Sequence, residues 1–187
     1  KKSSGAFIHG FRHLIESMVR IETNNLLTTE ILHLQQLENK IIDRINNSPE
    51  IFQMFGCLSD VIIYNYDNNS NNKITYIENL PIKYVIENYI NKYPKVIIIY
   101  LNYGKNYGGH INQCQDLGKS TYVFGNDRVQ GDNIEKAELS NFIHPIFEYY
   151  KDQKLEETIH LPENLENNFS SEEDYIMPLN KFLNKVK

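Results

Sequence analysis

Six histidines, two cysteines and 24 acidic side chains supply the groups of this chain that could ligate a metal or move a proton. His9, His13 and Glu16 are spaced four and three residues apart, so a helix would turn all three one way and offer a metal two nitrogens and a carboxylate. Spacing specifies no further ligand, and polar residues between apolar ones are what any surface helix shows; the surface-helix reading is preferred. The glycine-rich stretch Tyr103-Gly104-Lys105-Asn106-Tyr107-Gly108-Gly109-His110 follows a predicted strand, as phosphate loops do. It matches neither Gly-x4-Gly-Lys-Ser/Thr nor Gly-x-Gly-x-x-Gly, which leaves an ordinary connection as the better reading. Cys57 and Cys114 form no Cys-x-x-Cys pair and sit in no nucleophile motif, and no serine lies in Gly-x-Ser-x-Gly. Asp127-Arg128 and Gly131-Asp132 make a charged, turn-rich patch of the kind that paired surface charges usually give without function. The residues specify no self-contained catalytic site.

The elements that would position these groups follow from periodicity. Phe7, Phe11, Leu14, Met18 and Ile21 recur as one stripe of an amphipathic helix, ended by Thr23-Asn24-Asn25. A second helix runs through Ile31, Leu34, Leu37, Ile41 and Ile45, with Thr28 or Thr29 as its N-cap. Ser48-Pro49 then starts a short apolar turn that Gly56 ends. Asp60 to Tyr64 and Lys73 to Ile77 read as two strands of a hairpin across an asparagine-rich loop. Pro81 opens a helix with Ile82, Val85, Ile86, Tyr89, Ile90 and Tyr93 on one side; Pro94 closes it, and Val96 to Leu101 is a strand without alternation, expected to be covered on both faces. Lys73 to Leu101 is thus a predicted βαβ unit, and residues 50–101 the expected folding core. Residues 103–132 hold six of the nine glycines and read as loop. Order resumes from Phe142 to Tyr150; an acidic stretch begins at Glu156, and a last helix through Tyr175, Ile176, Leu179, Phe182 and Leu183 is interrupted by Pro178. The expected fold is α/β: a small mixed sheet with covering helices, preceded by amphipathic helices.

Composition narrows the function classes. With 24 acidic against 19 basic residues the net charge is −5, and a pI near 5.7 argues against a general nucleic-acid binder. Hydrophobic residues at 41% and aromatics at 12% are enough to build a core, unlike a disordered chain. The longest wholly apolar run, Val96 to Leu101, is far below the roughly 20 residues that span a bilayer, so no membrane span is expected. The three Asn-x-Ser sequons at Asn46, Asn68 and Asn168 are close to what 24 asparagines produce by chance and say little about secretion. The opening Lys1-Lys2-Ser3-Ser4 has neither methionine nor leader, and the chain reads as a piece of something longer.

Several strings, taken whole, are more specific than their spacings. Residues Ser3-Ser4-Gly5-Ala6-Phe7-Ile8-His9-Gly10-Phe11-Arg12, Arg44-Ile45-Asn46-Asn47-Ser48 leading into Gln53-Met54-Phe55, and Leu139-Ser140-Asn141-Phe142-Ile143-His144-Pro145 stand in this order along the chain, with Tyr103-Gly104-Lys105-Asn106 and Asp127-Arg128 between them. Together they resemble the C-terminal third of the endoplasmic-reticulum flavoprotein associated with degradation, or FAD-dependent oxidoreductase domain-containing protein, family. The resemblance implies an oxidoreductase that binds FAD and NADPH through Rossmann-type domains, resides in the endoplasmic-reticulum lumen, and serves the disposal of misfolded glycoproteins together with other proteins of that degradation route. It implies that residues 1–25 are the closing helix of an upstream FAD-binding domain, that residues 26–187 are a C-terminal α/β extension, and that Gly5, Phe7, His9, Gly10 and Arg12 lie near the flavin. The Gly-x-Gly-x-x-Gly fingerprints are absent from these residues, so catalysis by them alone is not expected. The last residues, Asn184-Lys185-Val186-Lys187, are not a Lys-Asp-Glu-Leu type retention tail. A stand-alone binding or scaffolding module without redox activity is the alternative reading.

Overall fold

The β-branched run from Leu58 to Tyr66 and its counterpart from Lys95 to Asn102 organise the domain, because both are apolar on both faces and need cover on each side. The computed structural model describes residues 6–66, 72–105, 134–140, 142–162 and 172–186. Its elements are α1 (Ala6–Glu22), β1 (Thr28–Ile31), α2 (Leu34–Asn47), α3 (Pro49–Gln53), β2 (Leu58–Tyr66), β3 (Asn72–Pro81), α4 (Ile82–Asn88), β4 (Lys95–Asn102), β5 (His144–Lys151), β6 (Lys154–His160) and α5 (Met177–Val186). A 3-10 turn, Ala137–Leu139, precedes β5, and a π turn, Glu172–Ile176, leads into α5. The strands form one sheet in the order β1-β3-β2-β4-β5-β6.

The fold is α/β with an N-terminal helix, as expected. Every neighbouring pair in the sheet is antiparallel, and the parallel relation expected of the βαβ unit holds between β3 and β4, which flank β2 and are joined across it by α4. Alternate residues of the central strands enter two separate cores. Val61, Ile63, Val96 and Ile98 pack with Val85, Ile90 and Leu80 under α4, while Ile62, Tyr64, Ile97, Ile99 and Phe147 pack under α2 and α5 with Leu37, Ile41, Ile45, Leu179 and Phe182. The core therefore draws on helices at both ends of the chain and exceeds residues 50–101.

Local signals fix several boundaries. The Ser48 hydroxyl accepts the Ile51 N–H, Pro49 takes the first helical position of α3, and Gly56 follows at φ 67°, the left-handed conformation that L side chains adopt rarely. In α4 the regular helix stops at Asn88, where the Asn88 and Asn91 side chains bond back to the Tyr84 and Glu87 carbonyls, and turns carry the rest of the stripe to Pro94. Thr28 and Thr29 do not cap α2: they pair with Ile77 and Tyr76 in an edge strand, and α2 starts only after His33. Of that strand only Ile31 is buried, which is why hydrophobic periodicity misses it. The acidic stretch from Glu156 is likewise the second edge strand, β6, turned from β5 by Asp152 and Gln153 at φ 47° and 71°. Pro178 sits in the first turn of α5, just after the π turn.

Candidate functional site

Two polar clusters lie inside the described structure. The first is built where β2 bulges between Ser59 and Val61 against β3, placing Asp60, which is fully buried, under α2. Four donors reach its carboxylate. Arg44 Nε donates to Oδ2 at 2.6 Å and Arg44 Nη2 to Oδ1 at 3.0 Å; the Tyr76 hydroxyl donates to Oδ2 at 2.8 Å and the Asn79 N–H to Oδ1 at 2.9 Å. Arg44 also donates to the Asn79 side-chain oxygen at 2.6 Å and lies 3.1 Å from Glu78, whose other oxygen takes Lys40 at 2.5 Å. Asn79 holds φ 59°, and its carbonyl accepts the Ser17 hydroxyl of α1. Burial alone would discharge Arg44, but the two-pronged pair with Asp60 outweighs it and lifts the guanidinium pKa above its ordinary value. Burial, reinforced by the Asp60 charge, likewise holds the Tyr76 phenol protonated far above its ordinary range. Four hydrogen bonds thus saturate the Asp60 carboxylate, and the cluster ties α1, α2, β2 and β3 together.

The second cluster lies at the C-terminal end of β4 as well, two strands across from Asp60, where β5 begins and β6 ends. His144 is fully buried, with Nδ1 2.9 Å from the Phe142 carbonyl and Nε2 2.8 Å from His160 Nδ1. A carbonyl only accepts, so Nδ1 of His144 carries the hydrogen, His144 Nε2 accepts from His160 Nδ1–H, and the lone pair of the couple resides on His160 Nε2. Burial, opposed by the Phe142 bond and aided by His160, pulls the His144 pKa down to about 4. Burial also lowers His160, with Glu138 opposing and Lys105 assisting; Lys105 and Glu138 form an ion pair beside it. Gly104 makes this corner possible: its N–H bonds the Ser140 carbonyl at 2.8 Å, and a Cβ there would lie 2.6 Å from backbone atoms of Glu138 and Ser140. The couple is a neutral, oriented base at neutral pH.

The residues singled out from the sequence are scattered. Gly5 lies outside the described residues, as do the side chain of Phe7, Cys114, the glycine-rich stretch from Asn106 onward, Asp127-Arg128 and Gly131-Asp132. His9 is half-buried and Arg12 exposed, while Gly10 is buried against α3, where a Cβ would meet Met54 Sδ at 2.7 Å. His13 Nδ1 is 3.8 Å from Glu16, and no set of three His, Cys, Asp or Glu among the described residues is arranged to hold a metal. Cys57 is exposed and unbonded. Sequence reasoning missed Arg44, Asp60, Tyr76, Asn79, His144 and His160 as groups; a lone Asp opening a β-branched run and one of only four arginines inside an apolar helical stripe were the available signals.

A dinucleotide needs backbone N–H groups brought against its pyrophosphate by a glycine turn between strand and helix. The two helices that follow strands directly, α2 and α4, are entered through Leu32-His33 and Leu80-Pro81, which contain no glycine. Among the described residues nothing cradles FAD. The described residues thus form an α/β fold whose antiparallel sheet is covered on both faces.

The chain is 27% identical over 208 residues to mouse FAD-dependent oxidoreductase domain-containing protein 2, covering 98% of this chain and 29% of that protein. It is 27% identical over 161 residues to the zebrafish (Danio rerio) protein of the same name, covering 81% of this chain and 20% of the relative. The chain thus spans under a third of the curated relatives it matches, and these relatives support its being a C-terminal part of the FAD-dependent oxidoreductase domain-containing protein family. No protein-family model matches it, and no solved structure does.

Proposed function

We propose that this chain is the C-terminal domain of an FAD-dependent oxidoreductase of the endoplasmic-reticulum lumen, without catalysis of its own, which joins an upstream FAD-binding domain that also uses NADPH and acts in the degradation of misfolded proteins. The carrying observation is the coverage: 98% of this chain but 29% of the mouse relative is aligned, while the described residues lack a nucleotide turn. The flavin and nicotinamide chemistry then belongs to the part of the polypeptide outside this chain, and the sheet domain supplies packing and surface. The test is a pair of purified proteins, the 187-residue chain and the same chain extended upstream, each assayed for bound flavin and NADPH oxidation. The extended protein is expected to be yellow and the chain colourless. Stoichiometric FAD on the chain alone after gel filtration would overturn the reading, and a colourless extended protein would favour the stand-alone binding module.

A further inference from the structure

We propose that the outward face of α1 is the seat of the upstream FAD-binding domain, so that one helix is shared between two bodies; this rests on reading the chain as the C-terminal domain of a longer flavoprotein. Ile8 is 77% exposed, and Phe11, Ile15, Met18 and Val19 are each more than half exposed. At about 100° per residue these five fall within an arc of roughly 100°. The other side of α1 is already committed. Gly10 lets the helix close onto Met54, the buried Ser17 hydroxyl donates to the Asn79 carbonyl, and Ile21 packs in the core beneath α4. A helix apolar on a second, solvent-facing arc marks an interface, since surface helices otherwise turn polar residues outward.

The occupant follows from position and length. α1 is the first element described, and the relation to the mouse protein leaves more than two thirds of that relative outside the aligned part, while this chain matches a C-terminal part; the remaining polypeptide therefore arrives at the start of α1. Five side chains fall well short of the about 20 to 30 residues per side of a free-standing interface, which disfavours a second copy held by this face alone. A covalently joined domain needs less area, because the connection supplies the effective concentration. Exposed Arg12 and Glu16 border the apolar arc as a polar rim.

The experiment compares Phe11→Asp/Ile15→Asp with Ile86→Asp, an exposed apolar control on α4, in both the 187-residue chain and the upstream-extended protein. In the chain alone, the double variant is expected to leave the urea midpoint unchanged. In the extended protein, the α1 amides are expected to exchange at least tenfold more slowly than in the chain, and the double variant, not the control, is expected to abolish that protection. A flavin-loaded extended protein whose α1 is no better protected would overturn the docking alone. A colourless extended protein would overturn the flavoprotein reading on which the identity of the occupant rests. Dimerisation of the chain that the double variant abolishes would assign the face to a second copy, and a lowered midpoint in the chain alone would show that the face packs within this domain; either result overturns the proposal.

Discussion

Replacing Arg44 by methionine removes the cation from the buried carboxylate cluster while keeping most of the side chain's volume. Asp60 would keep the Tyr76 and Asn79 donors but lose both bonds from Arg44, at 2.6 and 3.0 Å, in a site with no access to solvent. Two charge-assisted bonds at about 1.5 to 3 kcal/mol each give the same scale as breaking a buried ion pair, about 3 to 5 kcal/mol. Set against a domain stability of about 5 to 15 kcal/mol, the variant should remain folded only with a small margin. Urea denaturation followed by far-UV circular dichroism and tyrosine fluorescence suits the chain, which has 13 tyrosines and no tryptophan. With a urea slope of about 2 kcal/mol/M, the midpoint should fall by about 2 M without a change in slope. Adding Asp60→Asn should recover part of that loss, because the double variant no longer buries an uncompensated charge. A midpoint for Arg44→Met within about 0.5 M of the parent would refute the account of this cluster as the junction of α1, α2, β2 and β3.

Two further outcomes are expected. Ile98→Asp places an unpaired charge between β2 and β5 in the core beneath α4 and should cost several kcal/mol, whereas Lys105→Asp, at an exposed ion pair, should change stability by less than about 0.5 kcal/mol; chemical denaturation of both compares them. The histidine couple should make the domain acid-sensitive. The unfolded His144 takes a proton near its ordinary 6.5 while the folded one refuses it until about 4, so the unfolded state binds more protons in that window. The contribution is fully present above pH 6.5 and is lost as the pH falls toward 4, by about 3 kcal/mol. His144→Gln should flatten that slope in denaturation curves collected between pH 7 and 4, and an unchanged slope would exclude the couple as its source.

The sequence by itself determined those features whose causes are local or periodic. Ser48-Pro49 set the start of α3 and Gly56 the turn that follows it, because a cap, a proline at the first helical position and a positive φ are properties of single residues. The unalternating runs of β2 and β4 announced strands covered on both faces, since no other burial suits Val-Ile-Ile-Tyr and Val-Ile-Ile-Ile. The whole strings of residues pointed to the family that the relatives bear out. Only the tertiary structure decided the edges and the clusters. β1 and β6 are half-exposed strands with few apolar residues, and what makes them strands is a neighbour already in place at β3 and β5. Arg44, Asp60 and Asn79, like His144 and His160, are far apart in sequence and no spacing rule joins them; a bulge in β2 and a shared sheet end bring them within 3 Å. The stripe on α1 shows the same division: periodicity joined Phe7, Phe11, Leu14, Met18 and Ile21 as one face of an amphipathic helix, but the structure turns Leu14 and Ile21 inward and Phe11 and Met18 outward. The inward side is the one that carries the small residues Gly10 and Ser17, where the helix closes onto Met54 and bonds the Asn79 carbonyl.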